Sequence, residues 1–246
     1  MRHLPRRVCR SEGRFGLFML CCAACVAASW WPFSVCAAEE PASMSPSTSR
    51  PVTILAFGDS LTAGYGVRAD MAFPAQLERL LRAEGLAVTV VNAGVSGDTT
   101  AGGLARLAWS LADPVPDMAI VELGANDALR GVDPAFTEAN LEAIIIALQG
   151  AGVPVLLAGM RAPFNMGGDY AVRFNAIFPR LAEKYKVALY PFFLEGAAGD
   201  PALNQSDGIH PNEAGTTSVT RNILPMVRDL VRSLPQGRVP PRTARP

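Results

Sequence analysis

The feature that most constrains this chain is a set of five short apolar runs, each closed by a small or polar turn and alternating with helix-forming stretches. The runs are Val52 to Phe57, Val88 to Asn92, Met118 to Leu123, Val153 to Gly159 and Val187 to Tyr190. Strands that are apolar along their whole length, rather than on alternate residues, belong to sheets covered on both faces. The helical signals are Phe73 to Glu84, stopped by Gly85; Thr100 to Ala112, with Asp98 or Thr99 as cap; Pro134 to Gln149, started by Asp133 and stopped by Gly150; Tyr170 to Tyr185; and Glu213 to Ser233. Strict alternation of this kind predicts a parallel sheet with helices on both faces and right-handed crossovers.

At 246 residues, 50% of them hydrophobic and 18% charged, the chain can bury one full core, so one domain with extensions is expected. Five arginines from Arg2 to Arg14 precede an apolar run from Phe15 to Ala28, and the small residues around Ala37-Ala38 offer a cleavage site. Residues 1–38 therefore read as a secretory signal peptide, which places the mature chain in the periplasm or outside the cell; an uncleaved anchor is the competing reading. Residues 39–50, rich in Pro, Ser and Thr, read as a flexible linker. The domain is expected over 51–234, and the Pro- and Arg-rich residues 235–246 as a disordered tail.

Composition excludes several kinds of chemistry. The cysteines are Cys9, Cys21, Cys22, Cys25 and Cys36, so a chain cleaved near Ala38 has no thiol for disulfides, nucleophilic attack or metal binding. One histidine, His210, remains beyond the leader, too few for an ordinary catalytic zinc site. From Glu39 on there are 17 basic and 21 acidic residues, a net charge of −4, which gives the surface no reason to seek nucleic acid.

Ligands of parallel sheets sit at the carboxyl ends of the strands. There the first run delivers Gly58-Asp59-Ser60, the second leads to Gly94-Val95-Ser96-Gly97-Asp98, and the third to Gly124-Ala125-Asn126-Asp127. Ser60 is the candidate nucleophile. A serine hydroxyl needs a general base, and the base needs a group that fixes its tautomer; Asp207-Gly208-Ile209-His210-Pro211 supplies both three residues apart. Acyl transfer also needs donors for the developing oxyanion, and the candidates are the amides of Gly97 and Ser60 and the side chain of Asn126. Leu123, Leu129, Met160, Pro163, Phe164 and Met166, near the strand ends, suggest an apolar acyl groove.

Gly58-Asp59-Ser60-Leu61, Gly97, Gly124-Ala125-Asn126-Asp127 and Asp207-Gly208-Ile209-His210-Pro211 together resemble the four ordered blocks of the SGNH or GDSL hydrolases. Ser96-Gly97-Asp98-Thr99, Gly103-Leu104-Ala105-Arg106-Leu107 and Val121-Glu122-Leu123-Gly124 are most similar to the secreted bacterial arylesterase, lysophospholipase and acyl-CoA thioesterase branch. The resemblance implies a three-layer α/β/α, flavodoxin-like fold with a five-stranded sheet and hydrolysis of acyl esters or thioesters without cofactor or metal. It implies Ser60, Asp207 and His210 as catalytic residues and Ser60, Gly97 and Asn126 as oxyanion hole, with Gly94 the nearby alternative to Gly97. It makes the loop from Asp127 to Val132 adjust to the acyl chain, so Asp127 and Leu129 are expected substrate contacts, and Phe164 of the apolar groove is the third. The implied partner is a small acyl-ester or lysophospholipid substrate, met by a monomer that touches a membrane surface transiently. A carbohydrate O-acetylesterase and a catalytically inactive binding protein on the same fold are the alternatives.

Overall fold

The run from Val52 stops being a strand after Gly58, because Asp59 turns its side chain onto the N–H of Leu61 and starts a helix instead. In the computed structural model, which describes residues 50–111 and 114–235, β1 spans Val52–Gly58 and the single-turn helix α1 spans Ser60–Ala63. There follow α2 (Phe73–Ala83), β2 (Val88–Gly94), α3 (Thr100–Ser110), β3 (Met118–Glu122), α4 (Ala125–Leu129), α5 (Pro134–Gly150), β4 (Val155–Ala158), α6 (Gly168–Asn175), α7 (Ile177–Tyr185), β5 (Ala188–Tyr190) and α8 (Glu213–Ser233). The leader, the linker up to residue 49 and the tail beyond Pro235 lie outside the described residues.

All four strand pairings are parallel, in the order β2-β1-β3-β4-β5. Every residue of β3 and β4 is buried, as are the last five of β1. Because successive side chains point to opposite faces, this requires cover on both sides. Helix α2 packs with α8, while α3 packs with α5 and α5 with α7, so two helical layers enclose the sheet in an α/β/α sandwich. The core they share includes Phe57, Ile120, Leu141, Leu156, Phe178 and Ile223, each at most 1% exposed.

The predicted strands and the helices at 73, 100, 134 and 213 agree with the structure to within one or two residues. One helical prediction needs correction: Tyr170 to Tyr185 is two helices meeting at Ala176. Pro179 is the reason, since it cannot donate to the carbonyl of Asn175 and its ring crowds that position. The Asn175 side chain, at the junction, accepts from the N–H of Ala162 at 2.9 Å.

Candidate active site

The site is built on the carboxyl edge of the sheet, where the chain leaves each strand. Asp59 caps α1, accepting from Leu61 N at 3.0 Å, and this sets Ser60 at the first helical position. The N–H of a first helical residue has no partner within its helix. Neither Ser60 nor Gly97 donates its amide to a protein acceptor among the described residues. Gly94 differs, because its N–H is engaged by Asn92 Oδ1 and a Cβ there would meet the backbone of α1 at 2.2 Å. Gly94 is thus a close-packing residue, and Gly97, at φ +85°, is the one with an available donor.

His210 reaches Ser60 from a loop about 150 residues away. Its Nε2 lies 2.9 Å from Ser60 Oγ, and its Nδ1 lies 2.7 Å from Asp207 Oδ2. The second Asp207 oxygen accepts the backbone N–H groups of Ile209 (2.9 Å) and His210 (3.0 Å). The His210 N–H, the imidazole and then the Ile209 N–H together pull the Asp207 carboxyl down to about 2. An ionised carboxylate only accepts, so Nδ1 carries a proton and Nε2 of the neutral ring is left to accept from Ser60. The loop itself is tied back: Gln205 N donates to His210 O, Gln205 Nε2 donates to Tyr65 O, and the Tyr65 ring lies 4.6 Å from the imidazole. Gly66 permits this approach, since a Cβ there would stand 2.1 Å from Gln205 Oε1.

Asn126 is the link between the Ser60 and Gly97 loops. Its Nδ2 donates to Asp59 Oδ2 and to the carbonyl of Asp98, both at 3.0 Å, so it is bound to the neighbours in sequence of both residues. Arg106 ties the same two loops from below, with Nε on Asp98 Oδ2 at 2.6 Å, Nη2 on the Gly58 carbonyl at 2.9 Å, and its guanidinium over the Phe57 ring. Behind Ser60 lie two buried carboxyls. Burial pushes Asp59 up to about 6, against the opposing N–H of Leu61 and side chain of Asn126. Burial, and then the Asp59 charge, hold Glu122 well above the usual carboxylate range.

The expected substrate contacts divide. Leu129 is 45% exposed and Phe164 fully exposed at the strand ends. Asp127 requires correction: it is 1% exposed and accepts from Thr100 N, Thr100 Oγ1 and Thr137 Oγ1, tying α3 to α4 and α5 rather than facing a ligand. Leu123 and Met160 likewise belong to the core. Among the described residues no cluster of three or more His, Cys, Asp or Glu is arranged to hold a metal. Reading the sequence missed Arg106, Glu122, Tyr65 and Gln205 as parts of the site. The signal for Glu122 was present, as an acidic residue inside an otherwise apolar strand.

Known proteins resemble this chain over most of the domain. The model of the GDSL-like lipase/acylhydrolase family matches residues 56–217. Esterase TesA of Pseudomonas aeruginosa is 41% identical over 179 residues, covering 73% of this chain and 89% of its own. Thioesterase 1/protease 1/lysophospholipase L1 of Escherichia coli K12 is 44% identical over 160 residues, 65% of this chain and 76% of its own. The solved structure of AlinE4, an SGNH-hydrolase family esterase, superposes with a TM-score of 0.64 at 47% identity, over 77% of this chain and 100% of its own. On the family match and these relatives, the chain belongs to the GDSL-like lipase/acylhydrolase family and is a carboxylic ester hydrolase.

Proposed function

We propose that the protein is an exported serine hydrolase that cleaves acyl esters, of the arylesterase or lysophospholipase kind, and thioesters as a second class, through an acyl-enzyme on Ser60. The observation that carries this is the relay from Ser60 Oγ through His210 to Asp207, at 2.9 and 2.7 Å. Ser60 Oγ attacks the acyl carbonyl while Nε2 of His210 takes its proton. The oxyanion is held by the amides of Ser60 and Gly97 and by Asn126 Nδ2. Both Asn126 Nδ2 protons are committed, to Asp59 and Asp98, so its part requires one of these bonds to be shared. His210 then gives the proton to the leaving alkoxide or thiolate, and water, deprotonated by His210, releases the acid and restores Ser60. Asp207 holds the ring and supports its charge while the proton is resident.

The exposed Leu129 and Phe164 support an acyl chain laid along this edge. Export rests on the residues 1–38 leader; amino-terminal sequencing of the native protein, which should begin near Ala38 or Glu39, tests it. A chain-length series of p-nitrophenyl esters, run beside a lysophospholipid and an acetylated sugar, tests the substrate class. Ser60→Ala and His210→Ala should each abolish turnover in folded protein, and more than about a hundredth of wild-type turnover in either refutes the assignment.

A further inference from the structure

Glu122 ends β3 in the middle of the sheet and is 0% exposed. Its Oε2 accepts the Thr62 hydroxyl at 2.6 Å and the backbone N–H of Asp59 at 3.4 Å, and both donors lie on the turn that presents Ser60. Its Oε1 has no hydrogen-bond partner among the described residues. The carboxyl also presses against the end of β1, because a Cβ on Gly58 would fall 2.4 Å from Oε2 and 2.2 Å from Thr62 Oγ1. Nothing in the acyl-transfer cycle uses this group.

We propose that Glu122 is a positioning residue for the nucleophile, holding the single helical turn that carries Ser60 through Thr62 and the backbone of Asp59. The proposal rests on Ser60 being the nucleophile. It also fixes where the proton of the buried pair lies. Asp59 has two donors at 3.0 Å, Leu61 N and Asn126 Nδ2, whereas Glu122 has one short donor and one long one and an oxygen with none. Two ionised carboxyls so placed would repel with too few donors between them, so the charge sits on Asp59 and Glu122 is the neutral acid. The other charged groups that bear on the pair are His210 and Asp98, which act on Asp59, and Arg106, which binds the Gly58 carbonyl. A neutral Glu122 fits a role in shape and hydrogen bonding rather than in field.

Glutamine keeps that shape and an acceptor for Thr62, whereas leucine keeps only bulk. Glu122→Gln should hold kcat within about threefold of wild type and leave the acidic limb of the pH–kcat/KM profile in place. Glu122→Leu should lower kcat about 10- to 100-fold with KM changed little, the scale expected when a nucleophile is misplaced by about 1 Å. Thr62→Val and Thr62→Ser repeat the test from the donor side: valine should lower kcat and serine restore it, which keeps the test decisive if Glu122→Leu does not fold. Wild-type kcat in folded Glu122→Leu or Thr62→Val would overturn the proposal, as would a shift of the acidic limb by more than about half a pH unit in Glu122→Gln. Ser60→Ala assayed alongside separates the two readings: if it is inactive while Glu122→Leu is fully active, positioning alone fails, and if it is active the nucleophile assignment fails.

Discussion

Replacing Asp207 with asparagine isolates the tautomer from the turn. In the native turn one carboxyl oxygen accepts Ile209 N and His210 N while the other faces Nδ1 of His210 at 2.7 Å. An asparagine that keeps its oxygen on the two backbone amides turns its NH2 toward Nδ1. Two donors cannot face each other, so the ring proton moves to Nε2, opposite Ser60 Oγ, and the base is lost. Flipping the amide restores the tautomer but sacrifices both backbone bonds, about 1 kcal/mol each. A preference of about 2 kcal/mol leaves the productive arrangement only about one part in 30. Loss of the negative charge beside the imidazolium adds to this, and serine hydrolases altered in this way lose ~10⁴-fold in turnover. We therefore expect Asp207→Asn to lower kcat/KM by about 10³- to 10⁴-fold with an almost unchanged thermal midpoint. Asp207→Ala should be no more damaging to kcat/KM, because water can occupy the Nδ1 side, yet it should melt earlier because both turn bonds are gone. Hydrolysis of a p-nitrophenyl ester near pH 8, with thermal melts of the same samples, measures both. An asparagine variant within tenfold of wild type, with its turn intact, would refute the reasoning.

Asn126→Ala should cost about 10²- to 10³-fold in kcat if its Nδ2 serves the oxyanion, and a change confined to KM would remove it from that role. Gly58→Ala should destabilise the fold by about 1–3 kcal/mol in urea titrations, because the new Cβ meets Glu122 Oε2 at 2.4 Å and the Glu122 carbonyl at 2.7 Å; wild-type stability would mean that the strand end yields freely. Asp59 is raised from the ~3.9 of an unfolded chain to about 6, so its contribution to stability is complete below pH ~4 and is lost as pH rises through 6. The stability of the wild type relative to Asp59→Asn should therefore fall between pH 4 and 7, and a flat or rising difference would show that Asp59 is not so perturbed.

Much of the fold and of the proposed triad was legible because each rests on local pattern. Apolar runs, the Asp133-Pro134 start and the glycine stops are properties of neighbouring residues, and Asp207 and His210 are only three positions apart. What escaped depends on distant partners. Helices α1 and α4 have four and five residues, too few for any periodicity to appear. Asp127, in a polar turn beside Asn126, read as a substrate contact; its burial depends on Thr100 and Thr137, 27 and 10 residues away. Arg106 stood only as one member of the family-like block Gly103 to Leu107, with no role attached, and only the folded chain brings it to Gly58 and Asp98. Glu122 is the same case in reverse, a carboxyl whose place in a buried strand makes sense once Thr62 is opposite.

The strand order explains why these distant residues meet where they do. β1 lies between β2 and β3, and the chain leaves β1 toward β2 before crossing back over β1 to β3. Connections diverge at that point, and in parallel sheets the divergence opens a crevice beyond the strand ends. Ser60, directly after β1, stands at its edge, with Gly97 arriving from the loop after β2 on one side and Asn126 from α4, which follows β3, on the other. Asp59 and Glu122, which follow β1 and end β3, lie beneath it, both fully buried. The turns that carry the proposed nucleophile and oxyanion donors thus rest on a buried acid pair, and Thr62, Asn126 and Arg106 are the groups that tie them together.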